Sequence, residues 1–180
     1  MAAINIKDYK IGFTDQIFFD TNIWLLLYGT MANYQAKEQR LYTDFFQTLL
    51  QKATPIFLTS MVISEFANVL LRRDFNQWMS TEKLSDKDFK KDFVGTEKYG
   101  ETVSIIAVAI NKILKLPNIA VVGDNFNAID KEAILENFKR IDFNDSYYAE
   151  LAYMNKYKIV TNDKDFINIS SKIDIISAQA

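Results

Sequence analysis

The sequence predicts an α/β fold, with a mostly parallel sheet covered on both faces by helices. Two observations predict it. Short apolar runs, IFFD at 17–20, IFLT at 56–59, IAVVG at 119–123 and KIVT at 158–161, alternate with longer stretches of helical periodicity. Acids recur just beyond several of those runs, at the strand-to-helix junctions where ligands gather in such folds.

The elements follow in order. Residues 17–20 read as a buried strand, and a helix begins near Asn22. From Tyr34 to Lys52, Leu41, Phe45 and Leu49, with Phe46 and Leu50, recur at helical spacing until Pro55 breaks the pattern. Residues 56–59 form the next strand, and Thr59 or Ser60 caps a helix over 61–75. Its buried stripe is Val62, Ile63, Phe66, Val69 and Leu70. Residues 80–100 hold five lysines and five acids and read as a solvated connection carrying a helix. An apolar helix runs from Glu101 to Leu116 and stops at Pro117. A strand at 119–123, helices at 127–140 and 145–157, and strands at 158–161 and 172–178 complete the chain. There is no internal repeat and no Pro/Gly-rich linker, so residues 1–180 read as one domain.

Composition narrows the chemistry. Cysteine and histidine are both absent, which removes thiolate nucleophiles, Ser-His-Asp triads and Cys/His zinc sites. Acid–base work falls to carboxylates, lysines, tyrosines or water on a metal. Oxygen ligands are plentiful and suit Mg²⁺, Mn²⁺ or Ca²⁺. With 21 basic and 23 acidic residues the net charge is −2, and no basic face for indiscriminate nucleic-acid binding stands out. Subtracting four metal-bound acids from 23 would leave 19 against 21 bases. The start, MAAINIKDYK, lacks a signal-peptide core and no apolar run reaches membrane length, so a soluble cytoplasmic protein is expected.

Asp20 ends the first strand, Glu65 lies one or two turns into the helix after the second, Asp145 opens a helix, and Asp163 follows KIVT. Singly, each has an ordinary reading as a turn former, a helix-terminus charge or a solvated side chain. Together, four acids along one sheet edge would repel one another and raise their own pKa values unless a cation joined them.

In FFDTNIWLLL, TSMVISEFANVLLR and FNDSYYAELAYMNKYKIVTNDKDF, taken in that order, the sequence resembles the PIN-domain ribonucleases, above all VapC-type toxins. The resemblance covers most of residues 17–176. It implies a three-layer α/β/α sandwich and metal-dependent hydrolysis of RNA phosphodiester bonds. Asp20, Glu65, Asp145 and Asp163 are then the acidic quartet, with Thr21, Asn22 and Thr161 in support and Asp165 as a turn-former or outer acid. The implied cofactor is Mg²⁺ or Mn²⁺, held by Asp20 with Asp145 or Asp163, and by Glu65 through water. Arg72, Arg73, Lys158 and Lys164 are expected to contact the RNA backbone. A protein antitoxin and a homodimer are the implied partners. Residues 75–105 exceed the family's compact members and suggest a helical insertion.

Three other readings stand beside this one. A PIN-like module with silent chemistry could bind a partner through its acids. A DNA nuclease specific for branched structures shares the acidic metal logic. A haloacid-dehalogenase-like phosphatase needs an acid two residues after its nucleophilic Asp, where this chain has Asn22.

Overall fold

The computed structural model describes residues 3–29, 36–169 and 172–180. Six short strands, β1 (Ala3–Asn5), β2 (Ile17–Phe19), β3 (Ile56–Leu58), β4 (Ile119–Val121), β5 (Lys158–Val160) and β6 (Ile175–Ser177), form one sheet in the order β1-β6-β5-β2-β3-β4. All five pairings are parallel. The helices are α1 (Thr21–Tyr28), α2 (Ala36–Gln51), α3 (Ser60–Thr81), α4 (Glu97–Leu114), α5 (Lys131–Asn137) and α6 (Phe143–Asn155). A π-helical turn spans Phe89–Phe93 and a 3₁₀ turn Asp165–Ile169.

The central strand shows why the layers form. Ile17, Phe18 and Phe19 are all fully buried, and successive side chains leave a strand on opposite faces. Phe18 meets the rings of Tyr148 and Tyr157, at 5.3 and 6.3 Å between centroids. Phe19 turns the other way, to Trp24 at 5.2 Å and Phe46 at 6.1 Å. One face of β2 therefore rests on α6 and the other on α1 and α2, giving the α/β/α order of layers. After β2 the chain steps to β3 and β4 on one side, and β5 returns on the other. That reversal opens a crevice at the carboxyl ends of β2 and β5.

Several boundaries differ from the sequence reading, and caps explain most of them. Thr96 accepts from the Tyr99 N–H and starts α4 at Glu97, a turn before the expected Glu101. Asp142 caps α6 at Phe143, and Asp130 confines α5 to seven residues within the expected 127–140. Thr59 is the cap of α3, which runs on to Thr81. Val69, placed in that helix's buried stripe, is 38% exposed. The expected start of α2 at Tyr34 lies outside the described residues. Strand β1 was not anticipated; it pairs with β6 through Ala3 and Ile175.

The connection at 80–100 is more than a solvated surface. Phe75, Trp78, Phe89, Phe93 and Tyr99 build an aromatic knot in which Phe93 is fully buried. Asp88 caps the π-helical turn by accepting from the Lys90 and Lys91 N–H groups.

Removing the Phe18 ring leaves a void between α6 and the sheet. Phe18→Ala is expected to lower stability by about 3–5 kcal/mol in denaturant unfolding, with the slope unchanged. A loss below 1 kcal/mol would contradict this packing.

Candidate active site

Register builds the site first. Phe19 stands opposite Val160, so the next residues, Asp20 and Thr161, emerge side by side. Thr161 Oγ1 donates to Asp20 Oδ2 at 2.7 Å, and Asn22 Nδ2 donates to the same oxygen at 2.5 Å. Thr161 Oγ1 also accepts from Asn22 Nδ2 and from the Asp163 N–H, at 3.0 and 2.9 Å. Asn22 Oδ1 accepts the Asn162 N–H. The side chain of Asn22 thus crosslinks the ends of two strands, while Tyr42, from α2, donates to the Thr161 carbonyl at 2.8 Å.

Glu65 reaches the same region from the second turn of α3. Its Oε2 accepts from Thr21 Oγ1 at 2.9 Å and from the Tyr148 hydroxyl at 2.8 Å. Burial pushes the Tyr148 hydroxyl pKa far up, so it acts here as a donor. Asp145 lies in the first turn of α6, where the cap Asp142 holds its N–H. Asp163 Oδ1 accepts the Asp165 N–H at 2.9 Å, a turn-forming bond, while Asp165 itself is exposed.

Electrostatics tie the four acids together. Asp20 is 4% and Asp145 8% exposed. Burial, then the charges of Glu65 and Asp163, push the Asp20 carboxyl up to about 7 against the donors that favour its ionised form. Burial, then Asp20, Asp142, Asp163 and Glu65, push Asp145 up to about 9. Among the described residues no lysine or arginine forms an ion pair with Asp20, Glu65, Asp145 or Asp163. Two buried carboxyls left without a basic partner suit a divalent cation. No three acids among the described residues stand close enough to ligate one ion together. Mg²⁺ does not require that, since it keeps several waters and takes one or two carboxylates. The donor set therefore fits such an ion.

The expected basic residues separate into two kinds. Arg72 lines a groove on the Glu65 side, with Ser64, Asn68 and Asn144, and Lys164 lines another on the Asp163 side, with Asn22 and Gln179. Arg73 turns away, bonding Asp74 at 2.7 Å and the Gly29 carbonyl at 2.5 Å. Lys158 corrects the expectation outright. It begins β5, at the opposite edge of the sheet, and pairs with Asp15 at 2.9 Å and Tyr9 at 2.9 Å. Burial opposes its charge, but those two partners outweigh it and hold the ammonium up at about 12. Tyr148, Tyr42 and Asp142 were not anticipated. Tyr148 stands three residues after Asp145, a helical spacing that would have flagged it.

The parallel sheet carries its buried acids along one edge, and comparison with known proteins gives this arrangement a family. The PIN domain model matches residues 17–172, and the chain belongs to that family. PIN domains are in general nucleases and typically depend on divalent metal. Among solved structures the chain is similar to VapBC2 from Rickettsia felis, bound to a DNA fragment from its promoter. Identity there is 14%, covering 90% of this chain and 98% of that one, with a TM-score of 0.52. It is also similar to FitAB bound to an IR36 DNA fragment, at 12% identity, 91% and 96% coverage and a TM-score of 0.48. A third is PAE2754 from Pyrobaculum aerophilum, at 12% identity, 99% and 94% coverage and 0.48. No curated protein sequence matches.

The raised carboxyls set a pH dependence. Unfolded Asp titrates near 3.9, so between about pH 4 and 9 the metal-free folded chain binds more protons than the unfolded one. The stability these groups contribute is complete below about pH 4 and is lost as pH rises through about 7 and then about 9. In chelator the melting temperature should therefore fall between pH 5 and 8.5, millimolar Mg²⁺ should recover it at pH 8.5, and Asp145→Asn should flatten the profile. A flat parental profile would contradict the buried pairing.

Proposed function

We propose that this chain is an endoribonuclease dependent on Mg²⁺ or Mn²⁺, and the toxin of a toxin–antitoxin pair. The observation that carries the catalytic part is the convergence of Asp20, Glu65, Asp145 and Asp163, two of them deeply buried, on a crevice where, among the described residues, no basic side chain forms an ion pair with them. Asp20 and Asp145 would hold the ion, with Asp163 beside them. The ion supplies activation of water and relief of negative charge at the phosphate. Glu65, steadied at Oε2 by Thr21 and Tyr148, keeps Oε1 to orient the attacking water through a hydrogen bond and to take its proton. Thr161 and Asn22 keep Asp20 Oδ2 aimed and its carboxyl immobile, so little reorganisation accompanies reaction. As the new P–O bond forms, the bond from phosphorus to the 3′ oxygen breaks and that oxygen takes a proton from solvent, so the route leaves a 5′-phosphate and makes no use of the 2′-hydroxyl.

Support for RNA, rather than DNA, comes from the family resemblance. The grooves bearing Arg72 and Lys164 flank the acids and offer a path for the phosphate backbone. The partner reading rests on resemblance too: an acidic crevice suits a basic segment of an antitoxin, and the named fold neighbour VapBC2 was captured with DNA. On the same ground we take residues 1–180 to work as one domain, in a cytoplasmic homodimer.

The purified chain should cut single-stranded RNA with Mg²⁺ and stop in excess chelator. Substituting an outer partner of a metal ligand alone costs about 10–100-fold, so Asp20→Asn, at a ligand, should cost at least about 100-fold. Undiminished cutting by that variant, or in chelator, refutes the metal role. Cutting confined to branched DNA would transfer the chain to the DNA nucleases, and RNA binding without any cutting would favour the silent module.

A further inference from the structure

Arg72 and Arg73 are neighbours on α3 with opposite fates. Arg73 is neutralised by Asp74, whereas Arg72 has no acidic partner among the described residues. Its guanidinium instead lies over the Phe89 ring, 4.1 Å from the centroid. An aromatic face positions a guanidinium without cancelling its charge, which leaves all of that charge for an external anion.

Phe89 is itself firmly placed. It sits edge-on to Phe75 at 5.5 Å and against Phe93 at 5.8 Å, and opens the π-helical turn capped by Asp88. The connection between α3 and α4 thus carries a small core of its own, and one product of that core is a support for Arg72.

What Arg72 overlooks is a groove. Residues 65, 68 and 72 share one face of α3, so Arg72 stands about 10 Å along the helix from Glu65. The groove is also lined by the amide of Asn68, the hydroxyl of Ser64 and Asn144 of α6, with Met61 and Val69 forming apolar wall. Among the described residues the Asn68 amide makes only a long 3.5 Å contact, to Ser64 Oγ. Amides, a hydroxyl and an apolar wall suit an unstacked base, and a bare guanidinium suits the phosphate next to it.

We infer that this groove is the seat of one RNA nucleotide flanking the scissile phosphate on the Glu65 side, with Phe89 holding Arg72 against that nucleotide's phosphate. Asn68 and Asn144 contact the base edge and give the chain a sequence preference at that position. The inference rests on the nuclease reading for its substrate. It gives the 82–96 connection a task in substrate binding.

Two measurements test it on the full chain. The first is binding of a fluorescent single-stranded oligoribonucleotide to the Asp20→Asn protein in Mg²⁺, across a salt series. The second is steady-state cleavage, with mapping of cut sites, in the otherwise unaltered protein. Arg72→Gln should weaken binding about tenfold and lower the salt slope by about 1. Phe89→Leu, which keeps apolar bulk and removes the aromatic face, should raise KM in the same direction while kcat changes little. Asn68→Ala should relax preference at one position of the cut site. If Phe89→Leu melts early, exposed Arg72 carries the test alone.

RNA that is bound and cut alike by the parental protein and by Arg72→Gln overturns the inference and leaves the nuclease reading intact. Binding that weakens with Arg72→Gln, in a parental protein that cuts no RNA, overturns the nuclease reading and keeps the groove. A parental protein that neither binds nor cuts RNA overturns both.

Discussion

Mutual repulsion between carboxylates shut away from water is the constraint on which the rest of this structure depends. Asp20 and Asp145 each sit almost wholly buried and feel the other acids of the crevice, yet among the described residues no lysine or arginine forms an ion pair with them. Such an arrangement disfavours ionisation unless something cationic arrives. A fold that tolerates this must hold the acids by other means. Here hydroxyls and amides do so: Thr161 and Asn22 at Asp20, Thr21 and Tyr148 at Glu65, and the Asp142 cap beneath Asp145. All are neutral donors or backbone devices, apart from Asp142, whose own charge adds to the repulsion. They fix direction without cancelling charge.

The same logic separates the two sides of the molecule. At the carboxyl ends of the strands, Asp20, Glu65, Asp145 and Asp163 make no ion pair among the described residues. At the amino ends, Asp15 meets Lys158 and Tyr9 in a closed cluster where each partner is answered. Arg73 likewise spends its charge on Asp74, while Arg72 rests on an aromatic ring. Whether a charge is matched or left open distinguishes what braces the fold from what faces the crevice.

Much of this was legible in the sequence, for local reasons. Short apolar runs between helical stretches identify five of the six strands, β2 to β6, and acids just beyond several of them mark the crevice. The parallel register then does the assembly, because it brings the strand ends to one edge without any long-range knowledge. Three things escaped. Strand β1 pairs with β6 from about 170 residues away, and its half-buried AIN carries no periodic signal. The π-helical turn does not follow helical spacing, and its phenylalanines lie among balanced charges that read as solvent-facing. Lys158 misled because nearness in sequence to Thr161 is not nearness in space: three residues of extended chain cover about 10 Å, the depth of the sheet edge to edge.

That last distance has a mechanical corollary. Strand β5 is fastened at its first residue by an ammonium–carboxylate lock and just past its last by a hydroxyl–carboxylate lock. Sliding by a single position would open both fasteners at once and turn every side chain to the wrong face. With its two ends pinned, the strand serves as a gauge block, transferring a fixed spacing from the amino-end rim of the sheet to the acid-bearing one.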